Sequence, residues 1–236
     1  MKNVFFLLLI AITVFFSCQK DKQIITPLQY GSVADVDGNI YKTVKIGNQW
    51  WMCENLKVEH YNDGSALNFI DISVLDSTWS NTQEGSYCFV NDSLFGKLYN
   101  FQAVTDSRNL APAGWHVPTD EEWKIMEKYI GMSEVQASNL AWRGTNEAEK
   151  LVIKSSLGWP TNAILFGEDE VGFSALPGGV RISDGTTNTS QSVGFWWTSS
   201  LKDNKANYRY IDAQFKQIFR QYTYPNYGMS IRCVKD

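Results

Sequence analysis

Gly114-Trp115-His116-Val117-Pro118-Thr119-Asp120-Glu121-Glu122-Trp123 takes the chain from an apolar stretch through a proline into a helix. Thr119 has the residue type and place of an N-cap, and Glu122, three residues on, can close a capping box. Asp120, Glu121 and Glu122 put negative charge in the first turn, where the helix dipole favours it. Trp123, Met126 and Ile130 then recur at helical spacing and give one apolar face, and Gly131 suits the position after the C-cap.

Working outward, 134–140 reads as weakly helical, and Asn146 is expected to cap a third helix over 147–155 with Glu149 at the capping-box position. Upstream, β-branched runs at 33–35 and 40–46 flank Asp37-Gly38-Asn39, and Gly47-Asn48 turns the chain into 49–54, which predicts an antiparallel meander of three short strands. Trp50 and Trp51 are adjacent and so face opposite sides of their strand. The polar stretch 61–83 reads as a long loop around at most one short apolar turn at 69–75; 87–90 reads as a strand, and 98–104 is ambiguous between helix and strand. Beyond Gly158, turn residues punctuate short aromatic and β-branched runs, with strands expected at 173–175, 180–182, 195–199, 207–213, 217–222 and 229–234. Strands, then helices, then strands predict an α+β fold.

Length and composition set the limits. The 236 residues suit one large domain or two small ones, and 44% hydrophobic with 14% aromatic residues is ample for a packed core. A formal charge of −4, without a basic run, argues against a nucleic-acid partner.

Residues 1–17 read as a leader. Lys2 supplies a positive start, and the apolar run over 4–16, about 13 residues, is shorter than the roughly 20 a spanning helix needs. The run meets Ser17-Cys18 and resembles a bacterial lipoprotein signal; the resemblance makes Cys18 a lipidated N-terminus after cleavage, anchored through several acyl chains. Residues 18–31 read as a tether. Its Gln19-Lys20-Asp21 resembles a charged surface-export signal, with a solvated linker as the plainer reading. These features predict attachment to the outer membrane, and the folded domain is expected over 32–236.

Six ordered blocks carry a further resemblance: 37–52 with Glu54-Asn55-Leu56, Tyr61-Asn62-Asp63-Gly64, 114–123, 172–179, Trp196-Trp197-Thr198-Ser199-Ser200, and 230–236. Together they closely resemble the Fibrobacter succinogenes major paralogous domain, a family similar to the formylglycine-generating, C-type-lectin-like fold group. The Pro-Thr-x-x-Glu-Trp helix start at 118–123 is a hallmark of that group. The resemblance implies an irregular, loop-rich α+β domain and no established activity.

An enzyme is not expected. The formylglycine-generating resemblance would require a pair of cysteines near the C-terminus, and only Cys233 stands there. His60 begins a turn, and His116, between Trp115 and Val117, reads as a hydrogen-bonded core histidine. Glu168, Asp169 and Glu170 offer oxygen ligands for Ca²⁺ but read more simply as a solvated acidic loop. No nucleophile, metal or phosphate-loop motif occurs, so no cofactor is expected. With Cys18 lipidated, at most one disulfide can form; Cys88 with Cys233 is the preferred pair, Cys53 then being a buried hydrophobe, and a reduced chain is the alternative.

The aromatics point to binding. Nine Trp, 11 Tyr and 13 Phe exceed what a turn-rich domain needs for its core. The tryptophans of the motif blocks read as packing anchors. Tyr208, Arg209, Tyr210, Tyr222 and Tyr224, with Tyr227 and near Arg181 and Arg220, read as a shallow binding surface, because Pro225-Asn226 marks an exposed loop. The expected role is a cell-envelope binding or adhesion module for a glycan or a protein, or else a structural lipoprotein with a protein partner.

Overall fold

The computed structural model describes residues 27–236 apart from 74–76, 90–92, 155–157, 161, 163 and 189–190. The leader, Cys18 and the tether up to residue 26 lie outside the described residues. The chain forms β1 (Tyr30–Ala34), β2 (Ile40–Ile46), β3 (Gln49–Met52), β4 (Asn68–Phe69), α1 (Thr78–Asn81), β5 (Ser86–Cys88), β6 (Leu98–Tyr99) and α2 (Phe101–Thr105). After these come β7 (Trp115–His116), α3 (Asp120–Tyr129), α4 (Glu134–Ser138), β8 (Ala141–Arg143) and α5 (Glu147–Leu151). The last third is β9 (Val180–Arg181), β10 (Thr187–Asn188), β11 (Val193–Lys202), β12 (Lys205–Asp212), β13 (Ile218–Thr223) and β14 (Val234–Lys235). This is an α+β architecture of mostly antiparallel sheets with short helices. No helix among the described residues is long and apolar enough to cross a membrane.

The meander forms as expected, β1 against β2 against β3. Asp35 ends β1 and holds the turn by accepting the Asp37 and Asn39 amides at 3.0 and 2.9 Å, while Gly38 takes φ +81°. Gly47 turns β2 into β3 at φ +59° against the Tyr129 ring. The C-terminal strand then enters between β3 and β7, with Val234 paired to both Trp51 and His116. The chain's last strand is therefore an inner strand of its first sheet. A second sheet runs β11-β12-β13-β8, antiparallel throughout.

The capping box at α3 is complete, with Thr119 accepting from the Glu122 amide and Glu122 from the Thr119 amide. Trp123 buries its ring against Trp51, Phe173 and Trp196 at centroid distances of 5.2, 5.6 and 6.5 Å. These four rings are fully buried, and each comes from a different motif block. Beside them Asn55 accepts from Trp196 Nε1 and from Arg232 Nε, both at 2.9 Å, and donates to the Phe95 carbonyl at 2.8 Å. Trp50 lies on the other side of β3, half-buried against the second core cluster, which bears out the alternation.

Several expectations need correction. The stretch 61–83 contains β4 and the one-turn helix α1, whose Trp79 is fully buried, so it is more than a loop. The ambiguous run 98–104 is both structures in succession, because Asn100 stops β6 and caps α2 by accepting the Ala103 amide. Asn146 makes no side-chain cap at α5; Glu147 takes the Thr145 and Asn146 amides itself at 2.5 and 3.1 Å, and the helix ends at Leu151. Residues 173–175 form no strand, since Ser174 adopts φ +52° to bring its amide to Asp169. Strand β8 was not foreseen.

Candidate functional site

The sheet β11-β12-β13-β8 has two faces of different chemistry. Side chains alternate along each strand, so Asn207, Arg209 and Ile211 point one way, and Tyr208, Tyr210 and Asp212 the other. The register places Arg209 beside Arg220, and Ile218 beside Arg143, on the first face.

That first face meets α3. Asp120 and Glu127, seven residues apart and so about two turns along one side of the helix, point at the sheet. Arg209 binds Glu127 at 2.7 Å and Asp120 at 2.9 Å, and Arg143 reaches Glu127 at 2.7 Å. Arg220 holds Asp120 through two bonds, at 2.8 and 2.5 Å. The side chains of Arg209 and Glu127 are 0% exposed. Burial by itself would raise the Asp120 pKa, but the guanidinium groups of Arg220 and Arg209 outweigh it and hold the carboxyl well below the usual range. Arg209 is therefore an internal ion that braces helix to sheet, which corrects its expected place on a ligand surface. Tyr222 lies at the edge of the same face, its ring 5.7 Å from the Arg220 guanidinium. Arg181 is also buried, elsewhere, and donates to the Ile70 and Gly185 carbonyls.

The second face is aromatic. Phe195, Tyr210, Phe219 and Trp142 are direct cross-strand partners, one from each of the four strands. Phe195 and Tyr210 stack at 4.2 Å and 13°, Phe219 stands edge-on to Tyr210 at 5.8 Å and to Trp142 at 5.1 Å, and Phe215 stacks on Trp142 at 4.2 Å. Tyr208 adjoins Phe195 and Phe219. The four row residues and Tyr208 are half-buried, and Phe215, beside the row, is exposed. Three strand spacings of about 4.8 Å make the row roughly 14 Å long. Polar groups sit on it too: the Tyr210 hydroxyl donates to Asp212, and burial raises the Tyr208 pKa to about 12, so both phenols are neutral at physiological pH.

The structure thus brings Tyr208 and Tyr210 together with four aromatics that the sequence reading missed: Trp142, Phe195, Phe215 and Phe219. The signal was the period-two pattern of the strands, usable only once their register is known. Tyr224 lies just past β13, 62% exposed, with the Lys205 ammonium 5.5 Å from its ring. None of the five tyrosines is fully buried, but Tyr208 and Tyr227 pack against the second core cluster.

The remaining candidates resolve as follows. Cys53, Cys88 and Cys233 are buried free thiols, one in each of three separate core clusters, so the Cys88–Cys233 bridge does not form. Burial pushes the Cys53 and Cys88 thiols up to about 11. His60 lies 2.6 Å from Asp37, and His116 bridges Asp236 at 2.6 Å and Glu122 at 2.8 Å. Asp169 receives the Ser174 amide and hydroxyl, both at 2.7 Å. Among the described residues no group of three His, Cys, Asp or Glu is placed to hold a metal ion.

No curated protein and no solved structure matches the chain. The family resemblance rests on blocks that meet in one core, Trp51, Asn55, Trp123, Phe173, Trp196 and Arg232 among them, and a family model spans nearly all of the folded part. The chain belongs to the Fibrobacter succinogenes major domain family, whose model matches residues 44–235.

Proposed function

We propose that the chain is a non-catalytic binding module of the bacterial cell envelope, which holds a glycan on the aromatic row of the second sheet. The observation that carries this reading is the row itself, Phe195-Tyr210-Phe219-Trp142, whose rings stay partly open to solvent, although Phe195 at one end packs against the second core cluster, on a sheet whose other face is engaged by α3. Apolar surface of this kind on a soluble domain marks an interaction site. A pyranose ring presents a flat C–H face that stacks on such rings, and the row is longer than one hexose. We read the fold as the irregular C-type-lectin-like, formylglycine-generating-like arrangement, on the strength of its helix start at 118–123 and its loop-rich sheets. We read residues 1–17 as a leader and Cys18 as the lipidated anchor at the outer membrane, with the binding domain running over 32–236.

A protein partner is the second reading, because Trp and Tyr at the centre of a face are also the residues that dominate protein interfaces. Pull-down of the mature chain carrying Cys18→Ala on insoluble polysaccharides separates the two. The expected result is retention that falls at least tenfold on Trp142→Ala or Tyr210→Ala and is unchanged by Tyr224→Ala. Retention by no polysaccharide, with a protein captured through the same two residues, would favour the second reading. The anchor is tested in cells: Cys18→Ala is expected to abolish fatty-acid labelling and move the chain out of the membrane fraction.

A further inference from the structure

We infer that the cleft beside the β1–β2 turn is a second ligand site, suited to a single neutral, hydroxyl-rich ring such as the terminal sugar of a glycan. The cleft has a volume of about 520 Å³ and is lined by Asp37, Asn39, Lys57, Glu59, Phe89 and Lys97. That volume falls within the range of small-molecule sites.

Its polar wall is tied in place. Asp37 accepts the Glu59 amide at 2.5 Å and lies 2.6 Å from His60 Nδ1. Burial would raise the Asp37 pKa, but the Glu59 amide and His60 lower it further, so the carboxylate is charged at neutral pH. Lys97 lies 2.5 Å from Glu59 and 4.7 Å above the Tyr87 ring, with only 12% of its side chain exposed. Lys57 pairs with Glu54 at 3.4 Å. The lining carries two lysines and two carboxylates, each already in an ion pair or hydrogen bond, so a charged ligand meets both signs at once. A polyol can instead accept from the ammonium groups and donate to the carboxylates while leaving the ion pairs intact.

The mouth of the cleft has the opposite character. Phe89 stacks on Phe69 at 5.1 Å and 18°, and the two are 45% and 44% exposed. An apolar ledge beside a charge-neutral wall of donors and acceptors matches a ligand with one C–H face and a rim of hydroxyls. A sugar has that form, whereas a peptide terminus or a phosphate brings charge that the wall does not need.

This inference deepens the glycan reading but concerns a separate surface, so the two can fail separately. Saturation-transfer NMR on the mature Cys18→Ala chain with the methyl glycosides of glucose, galactose, mannose and N-acetylglucosamine tests it. At least one glycoside is expected to bind, with affinity reduced at least tenfold by Phe89→Ala and by Lys97→Met, and unchanged by Trp142→Ala. Phe89 is exposed, so its variant should retain the wild-type thermal midpoint, and Lys97→Met keeps the stem over Tyr87. Silence from all four glycosides, or binding that survives Phe89→Ala, overturns the second site even where polysaccharide retention through Trp142 holds. Absence of polysaccharide retention by the chain with Trp142 intact, with glycoside binding preserved, overturns only the aromatic row.

Discussion

His116 ties its own strand to the helix that follows it and to a carboxylate 120 residues further on. Its ring spans β7, the Asp236 carboxylate at the end of the chain, and Glu122, which also closes the capping box of α3. Burial alone would lower its pKa; hydrogen bonds and charge from Asp236 and Glu122 outweigh this and raise it above 6.5. A raised folded pKa means that the protonated ring stabilises the fold fully below the ordinary value and that this contribution is lost as pH rises through the folded one. Stability should therefore fall as pH rises above about 6.5, by under about 1 kcal/mol for so exposed a pair, and Asp236→Asn should flatten the slope. Reading His116 as hydrogen-bonded was sound, but its 35% side-chain exposure differs from a core histidine because its partners are surface carboxylates. The cysteines show a different limit: a count of three constrains bridges but not burial. Thiol titration should find Cys53, Cys88 and Cys233 unreactive in the native chain and all three reactive after unfolding, with reductant leaving the thermal midpoint unchanged.

At the scale of elements, α3 and the second sheet are joined by charge as well as by apolar packing. The acidic first turn was legible as a dipole preference, and its cap formed as expected. Asp120 also serves a second purpose that no local pattern displays, since its partners Arg209 and Arg220 are assigned only when strand register is known. Arg143 was hidden further, on the three-residue β8, too short for a period-two pattern to show even though Gly144 follows it. Breaking such a buried set strands a charge: Glu127→Gln should leave Arg143 and Arg209 undercompensated and cost about 3–5 kcal/mol in denaturant unfolding. Replacing Glu127 and Arg143 together by Met should recover part of that loss. The depressed Asp120 pKa contributes to the acid limb, as do those of Asp106 and Asp37. The Asp120 contribution is complete above the ordinary 3.8 and is lost as pH falls below it, so Asp120→Asn should weaken acid unfolding while lowering stability at neutral pH.

Across the whole molecule, the residues that identify the family and those that we assign to binding are different sets. The motif blocks converge on Asn55, which links Trp196, Arg232 and the Phe95 carbonyl in the core. Arg232 is fully buried, accepted by Asn55 and by the Phe173 and Ser174 carbonyls, and its ring contact is Phe173 at 4.3 Å. Burial lowers its pKa to about 10, so it stays charged and depends on those acceptors. The blocks could be read from sequence because each is a short contiguous string. The aromatic row could not, because Trp142, Phe195, Tyr210 and Phe219 are scattered over four strands and become neighbours only through long-range register. This division predicts separable phenotypes. Asn55→Ala leaves the Trp196 and Arg232 donors unpaired, at about 1–3 kcal/mol each, and should lower the unfolding midpoint while the surviving folded fraction binds polysaccharide normally. Trp142→Ala removes a half-buried ring, should cost less than about 2 kcal/mol, and should abolish retention. Paired unfolding and retention measurements on the two variants check this. A Trp142→Ala chain that unfolds readily, or an Asn55→Ala chain that folds but no longer binds, would show that core and surface are one functional unit.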